Sequence, residues 1–179
     1  MDPANSIIAN AAKLRDLNEA VKSTFRVRHE GASQMEAWRE ACRQFHLCYD
    51  QLAFPGGLGE SMRRLTEREP VAIESAVQFL EADPMFFRSG YIKEELLEHL
   101  SRGIPLNDDQ KKRLQQVILL RVRERRTRRE FRRYCRLAPA VSDPSFEEQI
   151  AKLAGPSGVI PTHAQWVLAR LKQSSPRRR

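Results

Sequence analysis

The sequence predicts an all-α protein: an irregular multi-helix bundle or a short α-solenoid-like stack of helical hairpins, with seven to nine helices of about 10 to 22 residues. Apolar residues recur at three- and four-residue steps along most of the chain, as on one face of an amphipathic helix. No stretch of alternating β-branched residues indicates a strand. Because 179 residues fit one domain, we predict a single helical domain over 1–173 and a disordered basic tail over 174–179.

The N-terminal third of the chain predicts a helical hairpin. Asn5 is expected to cap a first helix that ends near residues 29–31. Ser33 and Glu36 have the spacing of a capping box at the start of a second helix, and Pro55 ends that helix. The turn between them is short and contains glycine, so we expect the two helices to pack antiparallel.

Two further elements follow the hairpin. The apolar pattern over residues 59–68 is brief and predicts at most a short helix. Pro70 suits the first position of the next helix, which Asp83 and Pro84 end.

The link before the next helix is unusually apolar for a loop. We therefore expect its three large apolar side chains to be buried: Met85, Phe86 and Phe87. Ser89 is then expected to cap a helix that Gly103 ends.

The segment 111–136 makes the protein basic. It holds twelve of the 31 basic residues and two acids, a net charge of +10, whereas the remaining 19 basic and 21 acidic residues sum to −2. Asn107 and Gln110 form a capping box at the start of the helix that carries this segment.

The apolar residues of this segment fall into two sets whose directions differ by roughly 120° around a helix axis. A single straight helix cannot turn both sets toward one neighbour. Thr127 and Glu130 also have the spacing of a capping box. We therefore favour two helices over 108–137, or one that is sharply kinked, with the joint between Glu124 and Thr127. One continuous helix stays open if different neighbours cover the two faces.

The C-terminal part predicts two more helices. Asp143 and Pro144 are typical of a helix start, and Gly155 ends that helix. Thr162 and Gln165 form a capping-box pair for the last helix.

The cysteines and the apolar runs of the sequence indicate where in the cell the protein is expected. Its three cysteines are odd in number, and each lies in an amphipathic stretch, which favours small packing residues in a reduced compartment over a disulfide framework. The first residues lack the basic and apolar parts of a signal peptide, and no apolar run approaches the roughly 20 residues that span a bilayer. We therefore expect a cytoplasmic protein with no membrane partner.

The main candidate binding site is a row of arginines on one helix face, at steps of three and four residues. Exposed guanidinium groups bind phosphates and carboxylates. The alternative is that these arginines form a solvated face or pair with acids of the same chain such as Glu94, Glu95 and Glu98. The row consists of Arg125, Arg129, Arg132 and Arg136.

A second possible anion site combines Arg88 and Lys93 near a helix start, where a cation is electrostatically misplaced unless an anion compensates. Cys42 and His46 lie four residues apart, but no spaced pair of a zinc site accompanies them, so we interpret them as packing residues. We predict no metal, no cofactor and no catalytic residues, and the sequence does not indicate an enzyme.

The sequence is compatible with two functions. The first is a non-enzymatic helical interaction module that binds an acidic protein partner through its basic helix face. The alternative is nonspecific, backbone-led nucleic-acid binding through the Arg-rich helix 121–136, for which neither groove-reading side chains nor interleaved aromatics are evident. We favour the interaction module because it requires fewer special features. The identity of the partner and the oligomeric state stay open.

Overall fold

The computed structural model describes residues 3–124, 128–155 and 159–174, and within these ranges the protein is an all-α bundle of nine helices without strands. The chain divides into two compact units, which we call unit 1 (Met1–Ser89) and unit 2 (Gly90–Arg179). The single domain over 1–173 stays a prediction, and residues 175–179 of the predicted tail lie outside the described ranges. None of the described helices is long and apolar enough to cross a bilayer. The helices are α1 (Pro3–Val27), α2 (Ala32–Ala53), α3 (Leu58–Thr66), α4 (Pro70–Ala82), α5 (Ser89–Ser101), α6 (Asp108–Arg123), α7 (Phe131–Val141), α8 (Pro144–Leu153) and α9 (Val159–Ser174).

In unit 1, α1 and α2 form the predicted antiparallel hairpin. At one end the ring centroids of Phe25 and Trp38 lie 5.9 Å apart, and toward the other end Lys13 and Leu52 line one groove. Helix α4 packs against α1, and α3 packs against both α2 and α4.

The start of α2 differs from the prediction. The helix begins at Ala32, with Gly31 in the N-cap position. Ser33 is therefore already the second helical residue, and the capping box predicted at Ser33 and Glu36 is wrong. Helix α1 likewise begins at Pro3, ahead of the predicted cap. Short capping motifs occur by chance inside polar helices, so the motif alone does not fix a boundary.

The boundaries of α4 are as predicted. Pro70 is its first residue, and Asp83 ends it in a left-handed conformation with φ 47°. The backbone N–H of Asp83 donates to the carbonyl of Phe79 at 3.1 Å, which satisfies one of the last carbonyls of the helix.

The burial predicted for the link after α4 is wrong at Met85 and Phe87, and Phe86 is only half-buried. Met85 is 56% exposed and Phe87 is 47% exposed. Arg15 donates to the carbonyl of Met85 at 3.0 Å, and the Tyr49 hydroxyl donates to the carbonyl of Phe87 at 3.1 Å. These hydrogen bonds anchor the main chain of the link to α1 and α2, while the two apolar side chains remain partly in solvent.

Ser89 closes the turn before α5 instead of capping the helix. Its hydroxyl oxygen accepts a hydrogen bond from the backbone N–H of Phe86 at 3.2 Å, and Ser89 is itself the first residue of α5. Ser89 therefore fixes the end of the link, and the predicted N-cap role is not the one it performs.

In unit 2 the arginine-rich segment forms two helices, which confirms the prediction. Helix α6 begins with the predicted capping box of Asn107 and Gln110 and ends at Arg123. Glu124 leaves the helix with an extended ψ of 137°, and α7 begins at Phe131. Thr127, the other half of the second predicted capping box, lies outside the described residues. Both helices bury apolar faces: Leu114, Ile118 and Val122 in α6, and Phe131, Tyr134 and Ala138 in α7.

The remaining helix starts divide into one correct and one incorrect prediction. Asp143 caps α8 by accepting a hydrogen bond from the backbone N–H of Phe146 at 2.8 Å. Helix α9 begins at Val159, so Thr162 lies inside it and the cap predicted there is wrong.

Gln115 connects α6 to the start of α8. Its side-chain amide donates to the carbonyl of Val141 at 2.6 Å and to the Asp143 carboxylate at 2.9 Å. The Gln115 amide, followed by the backbone N–H of Phe146, lowers the pKa of Asp143 below its ordinary value. A buried amide on α6 thus stabilises the charged form of the α8 cap.

We expect Leu114→Ala to lower the free energy of unfolding by about 2–5 kcal/mol, because it leaves a cavity at a fully buried position of α6. Leu120→Ala is the matched control on the same helix, since Leu120 is 55% exposed; it should change stability by about 0.5 kcal/mol or less. Urea unfolding followed by circular dichroism measures both. Equal losses would contradict the described register of α6.

We expect Asp143 to make stability depend on acid pH. Because folding lowers its pKa from 3.8, its contribution is present above that value and is lost as pH falls through the lowered folded pKa. The difference in free energy of unfolding between wild type and Asp143→Asn should therefore shrink between about pH 6 and pH 2. Gln115→Ala should reduce the pH-dependent part of the difference. A difference that is constant with pH would contradict this role.

Candidate partner-binding groove

Only part of the predicted row of four arginines is available to a binding partner. Arg125 lies outside the described residues. Arg129 precedes α7, while Arg132 and Arg136 are on α7, and the side chains of all three are exposed.

Arg129 already has partners in unit 2. Its guanidinium donates to the Glu94 carboxylate at 3.0 Å and to the Tyr91 hydroxyl at 2.7 Å, and it lies 4.3 Å from the centroid of the Tyr91 ring. Tyr91 and Glu94 raise the pKa of Arg129 above its ordinary value. The alternative that acids of the same chain neutralise the row is therefore realised at this residue.

Neighbouring arginines are neutralised in the same way. Arg133 pairs with Glu98 of α5 at 2.9 Å. Glu124, at the end of α6, pairs with Arg121 and accepts from Arg128 at 2.9 Å. Three carboxylates thus pair with four of the twelve basic residues of this segment.

Arg132 and Arg136 differ, because neither forms an ion pair with a carboxylate in the ranges that the structure describes. They lie one helical turn apart on α7 and face a groove between α7 and α9. The groove has a volume of about 430 Å³. We call it the arginine groove, and it is lined by Arg132, Cys135, Arg136, Trp166 and Arg170.

Helix α9 contributes an aromatic wall and a third guanidinium to the arginine groove. Trp166 is 42% exposed, and its ring centroid lies 6.1 Å from that of Phe131 and 5.9 Å from that of the buried His163. The indole is therefore fixed by packing on one side and open to a ligand on the other. The third guanidinium is that of Arg170, which donates to the side-chain oxygen of Gln173 at 2.8 Å.

Trp166 and Arg170 are not among the binding residues predicted from the sequence. Trp166 fitted the apolar side of the last helix, and Arg170 was a single charge on a surface helix. Their separation of four residues does indicate a shared helix face. Which helix that face meets depends on how α7 and α9 pack, and this has no local signal in the sequence.

Cys135 gives the arginine groove no nucleophile. Burial raises the pKa of its thiol to about 11, so the thiol stays protonated near neutral pH. All three cysteines are free. In the part of the chain that the structure describes, no cluster of three or more His, Cys, Asp or Glu could hold a metal ion.

The second predicted anion site is not a surface pair. Lys93 is fully buried in unit 2, so its ammonium group is not presented to a ligand in solution. Arg88 belongs to unit 1, where it is exposed and lines a different pocket from the arginine groove.

The positive charge of the arginine groove should be measurable through Trp166. With Trp38→Phe as background, Trp166 is the sole tryptophan, and we expect its iodide-to-caesium quenching ratio to be on the order of twofold higher than that of free N-acetyltryptophanamide. Arg132→Gln with Arg136→Gln should reduce quenching by iodide and leave quenching by neutral acrylamide unchanged. A ratio equal to or below that of the free compound at low salt would contradict a positive groove.

Comparisons with protein-family models, with curated proteins and with solved structures find no match to this chain.

Proposed function

We propose that the protein is a non-enzymatic helical interaction module that binds an acidic segment of a partner protein in the arginine groove. The proposal rests on one observation. Arg132 and Arg136 pair with no carboxylate in the described ranges, and they line the same groove as the half-exposed Trp166. The proposal also includes the cytoplasmic location expected from the odd number of cysteines.

The chemistry of the arginine groove suits a carboxylate-bearing segment. Guanidinium groups bind carboxylates through two parallel hydrogen bonds, and such charge-assisted bonds are stronger than neutral ones. Trp166 offers a large, rigid apolar surface of the kind that anchors protein interfaces. We therefore expect a segment in which acidic residues flank one apolar residue, with the acids on Arg132 and Arg136 and the apolar side chain on the indole.

The charge pattern around the arginine groove favours a protein segment over nucleic acid. A phosphate backbone is best bound by a long row of free cations, but Arg129 and Arg133 hold Glu94 and Glu98, whose carboxylates interrupt the row. What remains is a compact site of about 430 Å³, which fits a few residues of a peptide. A tryptophan beside arginines also occurs in single-strand binding sites, so nucleic acid is one outcome of the test.

The test measures binding by fluorescence anisotropy. One probe is a labelled peptide of roughly twelve Glu and Asp residues around a central Leu, and the other is a labelled oligothymidylate of about twelve nucleotides. We expect the peptide to bind more tightly. Arg132→Gln with Arg136→Gln should weaken peptide binding roughly 10- to 100-fold, because it removes two charge-assisted contacts.

The matched control is Arg39→Gln with Arg43→Gln on α2. These two arginines are also exposed and four residues apart, so the control removes the same charge at the same spacing. Peptide binding by this control should stay close to wild type. Tighter binding of the oligonucleotide would replace the proposal with its nucleic-acid alternative. Equal losses in the two double variants would reduce the effect to net charge and overturn the assigned groove.

A further inference from the structure

Unit 1 contains a pocket that shares no residue with the arginine groove. It has a volume of about 360 Å³ and is formed by α1, α2 and the link before α5. We call it the unit 1 pocket. Its apolar lining includes Val21, Cys42, Phe45, Tyr49 and Phe87, and Arg88 lies at its edge.

The aromatic side chains give the unit 1 pocket a defined wall. The ring centroid of Phe45, which is buried, lies 5.4 Å from that of Tyr49 and 6.0 Å from that of Phe87. The Tyr49 hydroxyl donates to the carbonyl of Phe87 at 3.1 Å, so this wall includes the link as well as α2. Aromatic packing and a hydrogen bond therefore hold this wall of the pocket in place.

Arg88 holds its guanidinium at this wall. It has a left-handed backbone with φ 67°, a conformation that is costly for a residue with a Cβ atom. Its Cζ atom lies 5.3 Å from the centroid of the Phe87 ring. In the described part of the chain no carboxylate pairs with Arg88, and the other polar lining residues, Asn18 and His46, carry no negative charge.

The positive charge of Arg88 reaches the pocket wall. Burial raises the pKa of the Tyr49 phenol, and the charge of Arg88 acts on it in the opposite direction. A carboxylate placed at the same edge would experience this charge in a site whose other walls are largely apolar, where ionic interactions are stronger than in bulk water.

We propose that the unit 1 pocket binds a small monocarboxylate with an apolar body. The carboxylate pairs with Arg88, and the apolar body lies against Phe45, Tyr49 and Phe87. A volume of 360 Å³ is near the lower end of ligand sites, which suits a free small molecule of roughly ten heavy atoms. This site is independent of the arginine groove and of the function proposed for it.

The test is calorimetric titration of the full chain with octanoate, with 1-octanol as the uncharged ligand of nearly the same shape. Wild type should bind octanoate at one site and bind octanol more weakly. Arg88→Gln should weaken octanoate binding by roughly tenfold or more, because it removes the charge-assisted contact. The variant should also bring octanoate and octanol to similar affinity.

Two controls locate the effect. Arg68→Gln removes the same charge from another exposed arginine of unit 1 with a left-handed backbone, φ 62°, outside the unit 1 pocket, and it should bind octanoate like wild type. Arg132→Gln with Arg136→Gln should also bind octanoate like wild type, which separates this site from the arginine groove. Amide chemical-shift changes on titration should concentrate in residues 18–21, 42–49 and 86–88.

Three outcomes would overturn the proposal. One is the absence of saturable octanoate binding to wild type. Another is an Arg88→Gln variant that binds octanoate as tightly as wild type. The third is loss of octanoate binding in the arginine-groove variant, with shift changes in α7 and α9, which would assign the carboxylate to the other site.

Discussion

The change of apolar face along the arginine-rich segment is the constraint on which the rest of unit 2 depends. Leu114 and Ile118 of α6 and Tyr134 of α7 are fully buried or nearly so. A straight helix through the segment would turn one of the two apolar faces away from the core. The break after Arg123 lets both helices bury their faces, and it brings α7 alongside α9. The arginine groove is a product of this core requirement.

Local ion pairs then select which arginines remain available. Arg129 and Arg133 pair with acids of α5, and Glu124 holds Arg121 and Arg128. Ion pairs exposed to solvent add little to stability, whereas Arg121 is largely buried. In the described ranges the local ion pairs leave Arg132 and Arg136 without a carboxylate partner beside Trp166, which is the arrangement on which the proposed function rests.

Much of the fold could be predicted from local patterns. The three- and four-residue apolar periodicity gave the helices, and strong signals such as the Asn107 capping box and the Asp143 start gave correct boundaries. The caps at Ser33 and Thr162 were wrong because α2 and α9 begin earlier, at Ala32 and Val159. The motif that is correct at Asn107 therefore does not decide a boundary by itself. The exposure of Met85 and Phe87 depends on hydrogen bonds from α1 and α2 to the link, and such tertiary contacts leave no pattern in the link itself.

The candidate sites were less predictable than the fold. Sequence spacing identified Arg132 and Arg136 but could not distinguish them from Arg129, because the two partners of Arg129 are 35 and 38 residues away. The Phe87 wall of the unit 1 pocket likewise arises only when the link folds back on α2. Both sites combine residues that are distant in the chain, and helical periodicity carries no information about such pairs.

The position of α5 ahead of α7 has a consequence for synthesis of the protein. Glu94 and Glu98 emerge from the ribosome before the arginines that they neutralise, since each precedes its partner by 35 residues. The nascent chain therefore already carries the compensating carboxylates when Arg129 and Arg133 appear, so these two charges can be neutralised as soon as the two segments meet.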